Sequence, residues 1–379
     1  MNSRRFDSPW FAAGAAAVLC FLWMAFQARY VYGGDWSGLF YASAERTFAE
    51  ELRRDVYVRP AGRGYDGQQY RAIAHDPWPP FRLNFSLDSP AFRRQRMLVP
   101  SLAWCLALGR PEWIDSAYIA VVLLSAAAAV YFASAAFALR GWSAWWGGLA
   151  LALPPVVTSV DRMGVDAALL AFGLAAAVLW ERGRWGWMWV ALALAALTRE
   201  TGMLFAAGAG VALWRRGEWR RGAVILTAAA PALAWKAFLA LRLSSPEPEI
   251  ERWFLFDGLF HMLGRAEQGA GLPLRILNTA GLIGLTMSLA VAARWLWNGS
   301  VLGALVAFFV PLSLVLGAPQ FLESPVAYGR IMGPLLAFVL FESILRRRWR
   351  WAAAVGAVCA GPIAYSLVAL LRGLRLMPH

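Results

Sequence analysis

The chain has 379 residues, 60% of them hydrophobic, with a mean hydropathy of +0.50 and a formal net charge of +13. Soluble domains run about 45–50% apolar, and several apolar runs here reach the roughly 18 residues that span a ~30 Å hydrocarbon core. Composition therefore excludes a soluble globular protein and gives a polytopic membrane protein. In a soluble protein this charge would suggest nucleic acid. Here the arginines cluster at the ends of apolar runs, the positive-inside pattern, so membrane lipids and not nucleic acid are the expected surroundings. Cys20, Cys105 and Cys359 lie in apolar stretches without CxxC spacing, and His75, His261 and His379 are scattered. Neither a disulfide framework nor a metal site is expected.

Arg4 and Arg5 precede an apolar run from about Pro9 to Tyr30. It is too long for a signal-peptide core and no small-residue cleavage site follows, so it reads as a retained first helix starting in the cytoplasm. The polar segment after it, about residues 31–112, then lies outside. Long loops of this kind usually carry function. An amphipathic helix is expected over Trp36 to Arg54, from Leu39, Phe40, Ala44 and Phe48 near helical spacing. A second is expected over Gln68 to His75, stopped by the prolines of Asp76-Pro77-Trp78-Pro79-Pro80. Arg93 to Arg96 lead into Met97 to Leu108, too short to span and expected to lie in the outer interface.

Helix two, Ile114 to Leu139, runs inward to Arg140, and helix three, Trp142 to Val160, runs outward. Helix four, Val165 to Trp180, returns to the basic turn Glu181-Arg182-Gly183-Arg184, which places Asp161, Arg162 and Asp166 outside. Helices five (Trp187 to Leu197) and six (Met203 to Trp214) flank Thr198-Arg199-Glu200-Thr201 and are too short to cross cleanly. Helix seven is Ala223 to Leu241. An acidic segment, Ser244 to Gly271, precedes helices eight (Leu274 to Trp297), nine (Val301 to Leu316), ten (Ala327 to Leu345) and eleven (Trp351 to Leu371). The expected fold is an all-α polytopic bundle of about 11 transmembrane helices, in a range of roughly 10–12.

Polar clusters converge on the outer face: the Asp35 to Arg96 segment around Tyr65-Asp66-Gly67-Gln68-Gln69-Tyr70, then Asp161 to Asp166, Arg199-Glu200, and Glu323 with Arg330. Ionisable groups at membrane depth are costly and face a cavity or one another. Moving a sugar from a lipid phosphate needs a carboxylate to take the acceptor's proton. It also needs cations on the leaving phosphate, which arginine binds with a two-pronged fork. Asp66 or Asp35 meets the first need; Arg96, Arg162, Arg199 and Arg330 meet the second. Gln68, Gln69, Tyr70, Asp161, Asp166 and Glu200 are further candidate substrate contacts. Plainer roles stand beside these. Tyr-Asp-Gly is a turn signal, and Asp35, Asp161 and Asp166 suit helix caps. Gln68 and Gln69 suit surface positions, and Arg162 and Arg199 suit structural ion pairs.

The string GYDGQQYRAIAHDP, followed by RRQRMLVPSLAWCLALG, resembles a bacterial family of membrane proteins of cell-surface glycopolymer formation. More broadly, the chain resembles the GT-C superfamily of glycosyltransferases. The GPI mannosyltransferases that add the second mannose carry a tryptophan-aspartate and a later tyrosine in the like place of the first outer loop. In the protein O-mannosyltransferase and aminoarabinose transferase branch, an outer arginine followed four residues on by aspartate starts a helix, and an LTK string closes the next. Arg162 and Asp166 match the first, and Leu197-Thr198-Arg199 matches the second with arginine for lysine.

The resemblance covers roughly Trp10 to Leu241. It implies a GT-C-type catalytic membrane module over 1–241; further transmembrane helices are expected over 242–379 with no separate soluble domain, a departure from the many members that carry one after the bundle. It implies a polyprenyl-phosphate sugar donor and a cell-envelope glycan or lipid-linked acceptor. The site would face the exterior of a bacterial plasma membrane, with an outer-loop aspartate as base. Members often place that aspartate close after helix one, which favours Asp35 in GGDWSGLFYASAE, whereas the YDGQ string favours Asp66. No cofactor is required, and a divalent cation bridging carboxylate and phosphate is compatible. Two rival readings use the same residues: a transporter or flippase of lipid-linked sugars, and a non-catalytic assembly factor.

Overall fold

The computed structural model describes residues 7–44, 52, 56–59, 64–84, 87–243, 286–294, 300–315 and 329–375. The chain is mostly helical. Among the described residues, three helical stretches are long and apolar enough to cross a membrane: α1 (Pro9–Tyr30), α5 (Pro111–Ala138) and Trp219–Arg242. The last is α10 (Trp219–Leu226) and α11 (Ala230–Arg242), joined by a short 3₁₀ turn. α1 begins where Ser8 accepts the Phe11 N–H and Pro9 supplies a preset first residue. Its small buried face of Ala12, Ala16 and Cys20 packs inward while Trp10, Leu19 and Leu22 stay exposed. Apolar residues all round are what a bilayer-facing helix requires.

The centre is α7 (Asp166–Glu181), buried along nearly its whole length between α5 and α8 (Trp185–Thr198). Alanines 126, 129 and 133 of α5 and 175 to 177 of α7 allow close helix approach in the absence of large side chains. α9 (Met203–Arg215) completes the near layer, with α12 (Val301–Leu305), α13 (Phe309–Val315), α14 (Gly333–Leu345) and α15 (Trp349–Arg375) following. α8 and α14 are apolar but short.

Several expected helices are drawn differently. The region Trp36 to Arg54 is no continuous helix. A 3₁₀ turn, Trp36–Phe40, ends at Tyr41 in the left-handed region (φ 59°), and the chain continues as β1 (Ala42–Ser43). This pairs in parallel with β2 (Val58–Arg59), Ala42 opposite Val58. A non-local backbone pairing there outweighs local helical spacing. Helix three is also divided, into a 3₁₀ stretch Ala144–Ala152 and α6 (Pro154–Arg162). Pro154 and Pro155 lack the N–H groups a continuous helix would use. Helix nine is interrupted at residues 306–308, and helix eleven starts earlier and ends later than expected. Of helix eight, only residues 286–294 are described. The segment Ser244 to Gly271 and Glu323 lie outside the described residues.

The polar region between α1 and α5 holds three short helices, α2 (Asp66–His75), α3 (Pro90–Arg94) and α4 (Leu98–Leu106). The two ends of the bundle differ chemically. At one end, Arg140 pairs with Glu181, Arg216 lies over Trp180, Arg221 over Trp185 and Arg347 over Trp142. There the end of α5 meets the α7–α8, α9–α10 and α14–α15 turns. The opposite end gathers the start of α2, the α6–α7 junction, the α8–α9 turn and Arg330 before α14.

Candidate functional site

The site is built at that second end, on the first turn of α2. Tyr65 is extended (φ −141°, ψ 175°), and its N–H donates to Tyr41 O at 3.1 Å. Gly67 lies against the carbonyls of Arg162 and Phe40. A Cβ at this position would stand 2.3 Å from the first oxygen and 2.9 Å from the second. Glycine is thus what lets α2 seat against the α6–α7 junction. Gly67→Ala is expected to lower stability by about 1–3 kcal/mol through overpacking against rigid backbone, read as a fall in melting temperature of the solubilised protein.

Asp66 Oδ1 accepts from Arg93 Nη1 and Oδ2 from Arg330 Nη2, both at 2.9 Å. Arg330 then bridges onward. Its Nε donates to Asp166 Oδ2 at 2.7 Å and its Nη1 to the Tyr65 hydroxyl at 2.9 Å. Asp166, fully buried, also accepts from Arg199 Nη1. Arg199 lies 3.6 Å from Glu200, which takes a two-pronged pair of bonds from Arg96 at 3.0 and 2.7 Å. Arg96 Nη1 finally donates to the Tyr70 hydroxyl at 2.9 Å. Asp88 holds Arg93 from its far side through Nε and Nη2. Asp161 accepts from Gln27 Nε2 at 2.8 Å and Arg162 Nε at 3.2 Å. The guanidiniums of Arg162 and Arg330 lie 4.6 and 4.9 Å from the centre of the Tyr65 ring, within cation–π range.

Five carboxylates (Asp66, Asp88, Asp161, Asp166, Glu200) thus meet five guanidiniums (Arg93, Arg96, Arg162, Arg199, Arg330) in one cluster. Paired charges are how a chain places ionisable groups in a low-dielectric region. Burial alone would raise the Asp66 carboxyl. Arg330 and Arg93 beside it, with Arg96 behind them, outweigh burial and hold it well below the ordinary carboxylate range.

Of the expected site residues, Asp66, Tyr70, Arg96, Asp166, Arg199, Glu200 and Arg330 come together directly. Asp161 and Arg162 join through Tyr65. Asp35 does not join. Its Oδ1 accepts from the Ser37 N–H and hydroxyl at 2.8 and 2.7 Å, and Ser37 Oγ accepts from the Tyr57 N–H. Asp35 caps the 3₁₀ turn and ties it to the returning loop. Asp35→Ala is expected to cost about 0.5–2 kcal/mol of stability as a lost cap, read by thermal melting. Gln68 and Gln69 are both buried and not at the surface. Gln68 Oε1 accepts from Ser43 N and Gln69 Oε1 from Asp88 N, each at 3.2 Å. They bind the loop to α2.

Sequence reasoning passed over Arg93 and Tyr65. Arg93 lies three residues before Arg96 in the same arginine run, and the turn after α3, closed by Arg96 N–H on Arg93 O at 3.2 Å, brings both to the cluster. Arg94 between them turns away to Asp76 and Asn84. A second cluster, Arg71 and His75 on Asp115 of α5, only fastens α2 to the bundle. Among the described residues no group of three or more His, Cys, Asp or Glu side chains is arranged to hold a metal ion. No protein family, curated protein or solved structure matches this chain.

Proposed function

We propose that the chain is an integral-membrane glycosyltransferase with a GT-C-type bundle of about 11 spans, 1–241 forming the catalytic module. It would move a sugar from a polyprenyl-phosphate donor to a cell-envelope glycan or glycolipid acceptor. One observation carries the reading. The first-loop carboxylate Asp66 sits between two arginines brought from positions 93 and 330, beside a buried run of further arginine–carboxylate pairs.

In this reading Asp66 takes the proton of the acceptor hydroxyl. The acceptor oxygen bonds to the anomeric carbon from the face opposite the phosphate, and the bond from that carbon to phosphate oxygen breaks, inverting the centre. Arg330 and Arg93 receive the charge left on the lipid phosphate. Asp66 and Asp166 are the acids that could share a divalent cation with that phosphate, and the steps above use none.

The basic, tryptophan-lined end suits the cytoplasmic side of a bacterial plasma membrane, and in this reading the site faces the exterior. α8 and α9 have 14 and 13 residues, about 20 Å of helix against a ~30 Å core. The Arg199–Glu200 turn would therefore sit recessed, at the depth where a membrane-embedded phosphate and its tail can reach it.

The test is transfer of labelled sugar from polyprenyl-phosphate donors in membranes holding the wild-type chain. Donor consumption that requires the chain supports the reading. Movement of intact donor across the bilayer without transfer would give the flippase reading instead. Full function of an Asp66→Asn, Asp35→Asn double variant would give the assembly-factor reading.

A further inference from the structure

The cluster raises a difficulty for any anionic ligand, since each of its five guanidiniums already holds a carboxylate. A phosphate that binds Arg330 and Arg93 must displace one of the carboxylates they hold. The partners of Arg330 and Arg93 show which. Arg330 keeps Asp166 on Nε and Tyr65 on Nη1, and offers Nη2 to Asp66. Arg93 keeps Asp88 on Nε and Nη2, and offers Nη1 to Asp66. Both guanidiniums are therefore anchored by other groups, and the two N–H donors aimed at Asp66 stay in place when its carboxylate leaves. The Asp66 side chain is 20% exposed, whereas that of Asp166 is 0% and has Arg199 as second partner. Asp66 is also the first residue of α2, whose buried residues begin at Gly67, so its side chain can turn without repacking α2 or α7.

We propose that the donor phosphate and the Asp66 carboxylate compete for one pair of donors, Arg330 Nη2 and Arg93 Nη1, so that phosphate binding is the event that frees Asp66 to act as base. This rests on the transferase reading of the same site and adds an order to it. Clamped between two cations, the carboxylate has little affinity for a proton; released, it recovers the basicity of an ordinary aspartate beside the reacting carbon. The acceptor hydroxyl is then activated only after donor has bound.

The measurement is binding of labelled undecaprenyl phosphate to the full chain in nanodiscs. Removing the competing charge should strengthen binding, so Asp66→Asn is expected to bind about tenfold tighter than wild type while losing transfer, the worth of roughly one charge-assisted hydrogen bond. Asp66→Glu, which restores the competitor, should bind no tighter than wild type. Asp115→Asn, an acid of the separate Arg71–His75 cluster, should match wild type. Should the amide prevent folding, Asp66→Ala gives the same readout. Equal or weaker binding by a monodisperse, neutral position-66 variant overturns the exchange, as does absence of binding throughout. Transfer of labelled sugar by wild type alongside such a result would leave the transferase reading standing without it.

Discussion

Asp66→Ala is expected to reduce sugar transfer by about 10²–10⁴-fold, the range a positioned general base contributes, with the chain still inserted and folded. The reason lies in the asymmetry between the two candidate bases. Asp35 is engaged with Ser37 and, through it, the Tyr57 backbone. Asp66 faces the arginines on which a leaving phosphate would have to rest. Removing Asp66 also releases Arg93 and Arg330 from one shared acid, and each retains another, so the fold keeps its remaining pairs. Transfer assays on detergent-monodisperse protein separate the two effects. Undiminished turnover with Asp66→Ala would remove the role assigned to this carboxylate.

Arg330→Gln is expected to be the most damaging single change at the site. One side chain there serves Asp66, Asp166 and the Tyr65 hydroxyl, and it joins a segment near the end of the chain to the first loop. Its loss leaves Asp166, at 0% exposure, with Arg199 alone. Removing one partner of a buried ion pair typically costs about 3–5 kcal/mol, which should appear as a large fall in melting temperature. Arg330→Lys restores charge but not the planar fork, and a single ammonium cannot reach three partners in the same geometry. It is expected to recover much of the stability and little of the transfer. Recovery of both by lysine would mean that only the charge matters.

Much of this cluster was legible because polar residues at the ends of apolar runs have few places to go. Arg162-x-x-x-Asp166, Arg199-Glu200 and Arg330 each close or open such a run, and they meet at one end of the bundle. The partners within the cluster were not legible, since pairing Asp66 with Arg330 requires the fold itself. Asp35 and Asp66 both sit in glycine-containing polar stretches, and only the hydrogen bonds of Ser37 distinguish a cap from a site acid. The helix expected over Trp36 to Arg54 failed for a related reason. Leu39, Phe40 and Ala44 are spaced for a helix, but Tyr41 takes the left-handed conformation and Ala42–Ser43 finds its hydrogen-bond partner at Val58–Arg59. Local periodicity cannot register that competitor.

The pairing of β1 with β2 has a bearing on how the protein can vary. The chain departs at Ser43 and is back alongside itself at Val58, with Ala44 N–H donating to Arg59 O. Everything between these points is an excursion whose two feet stand together. Between them the Leu52 carbonyl accepts from Arg71 Nη1 of α2 and the Tyr57 N–H donates to Ser37 Oγ, so the connection is also tied to the helix that begins at Asp66 and to the turn that Asp35 caps. A change of length in this connection must therefore keep both feet and the Leu52 and Tyr57 ties if Tyr65 and Asp66 are to hold their places.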